Sequence, residues 1–383
     1  MGWWFGRKSA PDARPFVPWY ASIGLQSDAA EVGFARSYQA QFDEVFARNP
    51  VGQRAVRLVA GMLGALTIDA IEGDARAARL VQADGLLESI TANLLLHGNA
   101  YVQLIADGRD VPSELCMLRP ERVSVVSDEK GWPVAYLYRA GGQVRRFDRL
   151  DPLERRQVAH IKALHPRDDH YGMGCIEAAT PAASVHNRAS RWNKALLDNA
   201  ARPSGALVYE PGDGAALSGE QYERLRAEME AQFSGSDNAG RPLLLEGGLK
   251  WQAMSLTPAD MDFVGLKAGA AREIALAFGV PPLLLGLPSD VTYANYREAN
   301  RALWRQTVLP MADRILRGLS EALASWWPGL RLEVDLDRIG ALASEREKLW
   351  RQLSGAKFLT DAEKRELLGF ARTPAVEAAR TEA

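Results

Sequence analysis

Apolar residues recur every three or four positions over 40–70 and 84–97, as in Val45, Val56, Val59 and Leu63 and then Leu86, Leu87, Ile90, Leu94 and Leu95. That period predicts helices, each with one buried stripe. From Ala100 the period shortens to two: AYVQLIA, RVSVV, VAYLYR, VRRF and QVAHIK read as short strands, and the Gly141-Gly142 pair between VAYLYR and VRRF predicts a hairpin turn. Helices followed by a mostly antiparallel sheet make an α+β unit.

The helical period then returns over about 175–201, about 40 Å of helix at 1.5 Å per residue. Val185, Ala189, Trp192, Leu196 and Ala200 form its apolar stripe, Arg188, Arg191 and Lys194 project from other positions, and Pro203 ends it. Residues 203–255 read as a small β-α-β insert: the strand GALVYE, a helix opened by a capping box of Ser218 and Gln221, a Gly/Ser/Asn loop, and a strand pair within RPLLLEGGLKWQAMSL. A second helix opens with Thr257 as N-cap and Pro258 at its first position, and closes at Pro281-Pro282. Gly265 and Gly269, four apart inside it, each cost about 1 kcal/mol of helix propensity and leave a groove where another helix backbone can come close. A third helix, about 294–327, carries Pro310 in its interior, which predicts a kink. After Pro328 come the strand LRLEVDL, two helices, the last opened by a capping box of Thr360 and Glu363, and a polar tail.

Composition narrows the class. With 383 residues, 47% hydrophobic and 25% charged, the chain is long enough for two to four units with their own cores. The net charge of −2 gives no global sign of a polyanion binder. Two well-separated cysteines, Cys116 and Cys175, exclude a disulfide framework or a thiolate zinc site and fit a reducing cytoplasm. No apolar run approaches the roughly 20 residues that span a bilayer. The opening MGWWFGRKSAPDARPFVPWY has the pattern of neither a signal peptide nor a myristoylation site; it reads as a flexible arm whose aromatics pack either on a neighbouring subunit or on their own domain.

Catalytic motifs are missing: there is no Walker loop, GxSxG, HExxH, CxxC pair or GxGxxG. In HPRDDHYG the residues His165, Asp168, Asp169 and His170 bunch as ligands of a divalent metal do, which raises a metal-dependent nuclease as an alternative function. No second cluster completes the shell, and a solvated or capping role is the preferred reading. The expectation is a non-enzymatic chain without cofactor or metal, with a non-channel helical adaptor working as a monomer or dimer as the further alternative. Arg297, Arg301 and Arg305, four apart, form a ridge that is either a solvated face paired with neighbours such as Glu298 or a row of phosphate contacts.

The order LLLHGNAYVQL, LRPERVSVV, VAHIKALHPRDDHYGMGCIEAA, the insert, and above all EIALAFGVPPLLLGLPSDVTYANYREANRALWRQTVLPMADRI resembles the portal proteins of tailed bacteriophages, in particular the HK97-like portal family, over about residues 40–370. Gene transfer agents, phage-derived particles that package host DNA, carry portals of the same family. The HYGMGC segment departs from the family, in which a Ser-Pro often follows the glycine. The resemblance implies an α+β portal fold with wing, stem, clip and crown parts. On this chain they fall as an N-terminal arm at 1–39, wing at 40–174, first stem helix at 175–202, clip at 203–256, second stem helix at 257–280, a wing return at 281–327 and a crown with polar tail at 328–383.

The resemblance also implies a homododecameric ring at one capsid vertex of a virion or phage-like particle, assembled in the host cytoplasm. Double-stranded DNA would pass through it non-specifically during packaging and ejection. Its partners would be the terminase large subunit, a head-tail adaptor and the major capsid protein, with no membrane involved. A tunnel loop at 286–295, with Pro288, Ser289, Asp290, Val291, Thr292, Tyr293, Ala294 and Asn295 projecting, would line the bore. Arg297, Arg301, Arg305, Arg188, Arg191 and Lys194 are candidate phosphate contacts, and Trp192, Gly265 and Gly269 candidate stem-packing residues. Twelve helices side by side at about 9–10 Å leave a hole of roughly 25 Å, wide enough for a duplex. The modest net charge suits a passage in which DNA must slide, since many phosphate contacts would hold it fast.

Overall fold

The structure is a computed structural model that describes residues 37–198 (without 84 and 108–110), 205–209, part of 218–227, 249–253, 263–287 and 292–368. The predicted N-terminal arm up to residue 36, most of the insert and the Thr257-Pro258 helix start lie outside the described residues.

A short helix α1 (Tyr38–Phe42), capped by the Ser37 hydroxyl, widens into a π turn at Asp43–Ala47 and is followed by α2 (Pro50–Gly64). Asn49 caps α2 by accepting from the N–H groups of Val51 and Gly52, with Pro50 at the first helical position. Next come β1 (Ile68–Glu72), α3 (Ala75–Val81) and α4 (Leu86–His97). The predicted stripes are buried in full: Val45, Val56, Val59 and Leu63, and Leu86, Leu87, Ile90, Leu94 and Leu95 all join one large core.

The period-two region folds as two antiparallel sheets of three strands. β2 (Asn99–Ala106) lies between β3 (Pro112–Leu118) and β7 (Val158–Lys162), and β5 (Pro133–Ala140) between β4 (Val123–Ser127) and β6 (Gln143–Asp148). The predicted hairpin is present, with Ala140 opposite Gln143 across Gly141 and Gly142. A smaller core of Tyr101, Leu118, Val123, Val125, Tyr136, Phe147, Val158 and Tyr171 joins the two sheets.

Two long helices follow, α5 (Cys175–Asp198) and α6 (Phe263–Ala277), and between them β8 (Gly205–Tyr209) pairs antiparallel with β9 (Leu249–Ala253). Pro181 sits inside α5, and the helix runs on past it with one fewer internal bond. The capping box of the insert forms as expected, Ser218 N–H donating to Gln221 Oε1 at 2.9 Å and Gln221 N–H to Ser218 Oγ at 3.2 Å.

The α6 terminus is set before the prolines are reached. Gly279 takes a left-handed φ of +64°, its N–H bonds to Leu276 O and that of Val280 reaches back to Ala275 O, a Schellman closure. Pro282–Leu285 then make one 3₁₀ turn, with Leu284, Leu285 and Leu287 half-buried against the main core.

The long third helix is one continuous rod in two registers, α7 (Tyr293–Leu303) and α8 (Leu309–Leu323), joined by a π turn at Trp304–Val308. The predicted consequence of Pro310 thus takes the form of a wider turn just ahead of it, where the Leu309 N–H bonds to Trp304 O and the ring is accommodated without breaking the helix. The chain ends, as described, with β10 (Arg331–Val334), two 3₁₀ turns, α9 (Ala343–Gly355) and α10 (Asp361–Leu367). β10 pairs antiparallel with β1, Ile68 opposite Val334, and Leu330, Leu332, Ile339 and Leu342 share the main core with α2 and α8. The Thr360 capping box closes α10 at its start, with Thr360 N–H on Glu363 Oε2 at 2.8 Å.

Candidate functional site

Helices α5 and α6 pack against each other, and α5 also packs against α4 and the π turn at Asp43–Ala47. Three things determine what they can do: how α5 is rooted, what joins the pair, and what their outer faces present.

The root is a buried polar junction. Gly98 ends α4 in the left-handed region, φ +78°, and turns the chain so that Asn99 starts β2 facing the loop that precedes α5. Asn99 is fully buried, its Oδ1 accepting from Gly172 N–H at 2.7 Å and its Nδ2 donating to Gly172 O at 3.0 Å and His97 O at 3.2 Å. His160 Nε2 stands 3.1 Å from the same Oδ1, and this contact requires the tautomer with a proton on Nε2. His97 Nδ1 lies 3.2 Å from Asn99 Nδ2 and is placed to accept. His160 also stacks on Tyr101 with ring centroids 4.2 Å apart, and the Tyr171 hydroxyl accepts from Val125 N–H at 2.9 Å, which ties the second sheet to the loop.

At this crossing two main chains touch. A Cβ added to Gly172 would collide with Gly98 O and come within 2.6 Å of Ala163 N; one on Gly174 would lie 2.7 Å from the Leu96 carbonyl carbon. Only glycine fits there. Burial pushes the His160 imidazole down to about 3, with Lys162 adding to the effect, and burial likewise pushes His97 down to about 4. Both rings are therefore neutral at ordinary pH, as their hydrogen-bond roles demand.

About three turns of helix beyond the root, a second tie holds α5. Asn49 Nδ2 donates to Asn187 Oδ1 at 2.9 Å and stands 3.3 Å from His186 Nδ1, while Asn187 Nδ2 donates to Glu44 O at 2.8 Å. Small residues dominate the buried positions of the helix pair, Ala179, Ala182, Ala183 and Ala189 on α5 and Ala270, Ala271 and Ala275 on α6, so the two axes can approach closely. Burial, with Lys267 of α6 adding to it, lowers the His186 pKa.

The outer faces are apolar where solvent would favour charge. Trp192 is 47% exposed, Leu266 48%, Leu276 79% and Val264 82%. Gly265, Gly269 and Leu276 fall on one stripe of α6 by helical spacing. A Cβ on Gly269 would meet nothing within 4 Å, so the close approach expected of this glycine has no counterpart among the described residues. On α5, Arg188 and Arg191 share the exposed face of Trp192, and Lys194 is exposed as well.

Of the expected tunnel-loop residues, Pro288, Ser289, Asp290 and Val291 lie outside the described residues. Thr292 caps α7, its Oγ1 accepting from Asn295 N–H at 3.2 Å, and Tyr293, Ala294 and Asn295 are exposed on the first turn. Along the arginine ridge Arg297 and Arg305 are exposed, whereas Arg301 turns to both carboxylate oxygens of Glu298 at 3.2 Å. In the HPRDDHYG cluster the side chains shape a turn: Asp168 Oδ1 accepts from the N–H groups of His170 and Tyr171, His165 Nδ1 accepts from Arg167 N–H, and Lys162 Nζ sits on the Asp169 carbonyl. Among the described residues no three His, Cys, Asp or Glu side chains are placed to hold a metal ion, and no helix is long and apolar enough to cross a membrane.

Asn49, Asn99, His160, Gly172 and Gly174 were not singled out from the sequence. Their signal was present in the two glycines of HYGMGC just ahead of a helix and in the HGN that follows one, since a Gly-x-Gly outside a turn marks a close backbone approach.

A family model described as phage portal protein matches residues 50–369. An uncharacterized protein of Rickettsia bellii is 43% identical over 286 residues, 73% of this chain and 72% of its own. Among solved structures, a chain in the neck of a native gene transfer agent particle computed with C12 symmetry is 46% identical, with a TM-score of 0.65 over 92% of this chain and 99% of that one. A portal protein of the HK97 family from Corynebacterium diphtheriae, 16% identical, shares the fold, with a TM-score of 0.54 over 79% of this chain and 96% of that one. An α+β chain with this helix pair, matched along most of its length in both sequence and fold, belongs to the phage portal protein family.

Proposed function

We propose that this chain forms the portal ring in the neck of a phage or gene transfer agent particle, twelve copies around a channel for double-stranded DNA. The observation that carries this reading is the 46% identity, over 92% of the chain, to a component of a gene transfer agent neck computed with C12 symmetry. The exposed apolar faces of α5 and α6 support it. A helix pair that leaves Trp192, Val264, Leu266 and Leu276 in water is unfinished as a monomer and is completed when the same pair of the next copy covers it. Gly269, with open space where a Cβ would be, leaves room for a neighbouring helix.

In this reading α5 and α6 form the stem, Thr292–Asn295 belong to the loop that lines the bore, and the exposed arginines of α5 and α7 are sparse phosphate contacts along it. The part between β8 and β9 receives the terminase during packaging and the head-tail adaptor afterwards, and the wing meets the major capsid protein. The role is that of a channel and docking platform, with no reaction catalysed.

Imaging and mass measurement of the purified chain test it. Annular particles of twelve copies, or thirteen on overexpression, with a central hole are the expected result. A species that stays monomeric or dimeric at high concentration overturns it.

A further inference from the structure

Along α2 lies a groove of about 450 Å³. Its floor is apolar, from Leu58 and Met62 of α2, Trp304 of the π turn and Ile339 between the two 3₁₀ turns. Its rim is basic: Arg54, Arg57 and Arg338 stand against one acid, Asp335, which already pairs with Arg338 at 3.1 Å. Among the described residues neither Arg54 nor Arg57, both exposed, has an ion-pair partner. An apolar slot under two unmatched guanidinium groups fits a peptide that carries an apolar side chain next to a carboxylate.

The position of the chain's last described residue indicates which peptide. Leu368 is buried, and its carbonyl accepts from Arg346 Nη2 at 2.9 Å. The same guanidinium holds Asp337 Oδ1 at 2.6 Å, and Asp337 adjoins Arg338, Ile339 and Gly340 on the lip of the groove. Arg346 thus pins Leu368, the residue that precedes the C-terminal segment 369–383, beside that lip. The segment reads GFARTPAVEAARTEA, with Val376 next to Glu377 eight residues beyond the clamp, and eight residues reach at most about 26 Å when extended.

We infer that the groove is the seat of the chain's own C-terminal segment, Val376 entering between Met62 and Trp304 and Glu377 meeting Arg54 and Arg57. The proposal concerns contacts within a single subunit and does not depend on the ring.

Cysteine cross-linking in the full-length chain, with Cys116 and Cys175 replaced by alanine, tests it. Gly61 lines the groove and has nothing within 4 Å of the place a Cβ would occupy, so Gly61→Cys is accommodated without strain. Paired with Val376→Cys under mild oxidation, it is expected to give an intrachain disulfide, while Glu129→Cys, exposed on the distant β4–β5 turn, gives at least ten-fold less with the same partner. Arg54→Glu with Arg57→Glu, both at exposed positions, is expected to slow the Gly61 bond at least ten-fold. No disulfide, equal yields at the two sites, a rate indifferent to the arginine changes, or a bond formed between chains rather than within one would each overturn the inference, the last by assigning the groove to a second copy.

Discussion

The junction around Asn99 and the outer face of α5 and α6 belong to the same helix pair and obey opposite rules. At the junction the polar atoms of Asn99 are matched inside the chain, two histidines are held neutral, and main chain touches main chain. On the outer face, large apolar side chains stand in solvent and Gly269 borders empty space. The first region is complete in one copy; in the proposed ring the second is completed by a neighbouring copy. A substitution at the junction should therefore be read in the stability of the subunit, and one on the outer face in its assembly.

Gly172→Val attacks the junction hardest. Its branched side chain meets Gly98 O and Ala163 N at distances no side chain tolerates, and a loss of about 3 kcal/mol or more is expected, seen as insoluble protein or a collapsed urea midpoint. Wild-type stability in this variant would show that the two strands of backbone are not in contact. Asn99→Ala comes next, at about 3 kcal/mol, because it strands the Gly172 N–H and the His160 Nε2–H in the core.

Acid should act on the same place by degrees. For His160 and His97 the folded pKa lies below the unfolded value of 6.5, so the stability they contribute is complete above about pH 6.5 and drains as pH falls toward 4 and then 3. The slope approaches about 1.4 kcal/mol per pH unit for each ring. Urea melts at pH 7, 5.5 and 4.5 should show this decline, and His160→Gln, uncharged at every pH, should reduce it by about half, leaving the part due to His97. The smallest effect on the subunit is expected from Trp192→Asp with Leu266→Asp: within about 0.5 kcal/mol in the melt, as for other exposed positions. The same double variant should abolish large assemblies in mass measurement, and rings that persist in it would place the copy-to-copy contact elsewhere.

How much of this was legible beforehand follows from the range of each interaction. Val56, Val59 and Leu63 declare a buried stripe by spacing alone; Ser218 with Gln221 and Thr360 with Glu363 declare helix starts across three residues; Gly141-Gly142 declares a turn by chemistry. Each is settled within one turn of backbone. The Asn99 junction joins residues 73 apart and the β1–β10 ladder joins Ile68 to Val334, and no local pattern encodes such pairings. Pro310 shows an intermediate case: the proline announces a disturbance, but whether the rod bends, breaks or widens depends on what the flanking turns pack against. The outer face is half legible: Trp192, Gly265 and Gly269 stand out by residue type and spacing, whereas nothing local marks Val264, Leu266 and Leu276 as exposed.

The glycine crossing at Gly98, Gly172 and Gly174 has a mechanical consequence. A rod of 24 residues is a lever of about 36 Å, and one degree of tilt at its base displaces the tip by about 0.6 Å. A base seated on side chains drifts whenever a rotamer changes, but peptide planes resting directly on one another have no such freedom. The aim of α5 is set by the stiffest material the chain possesses.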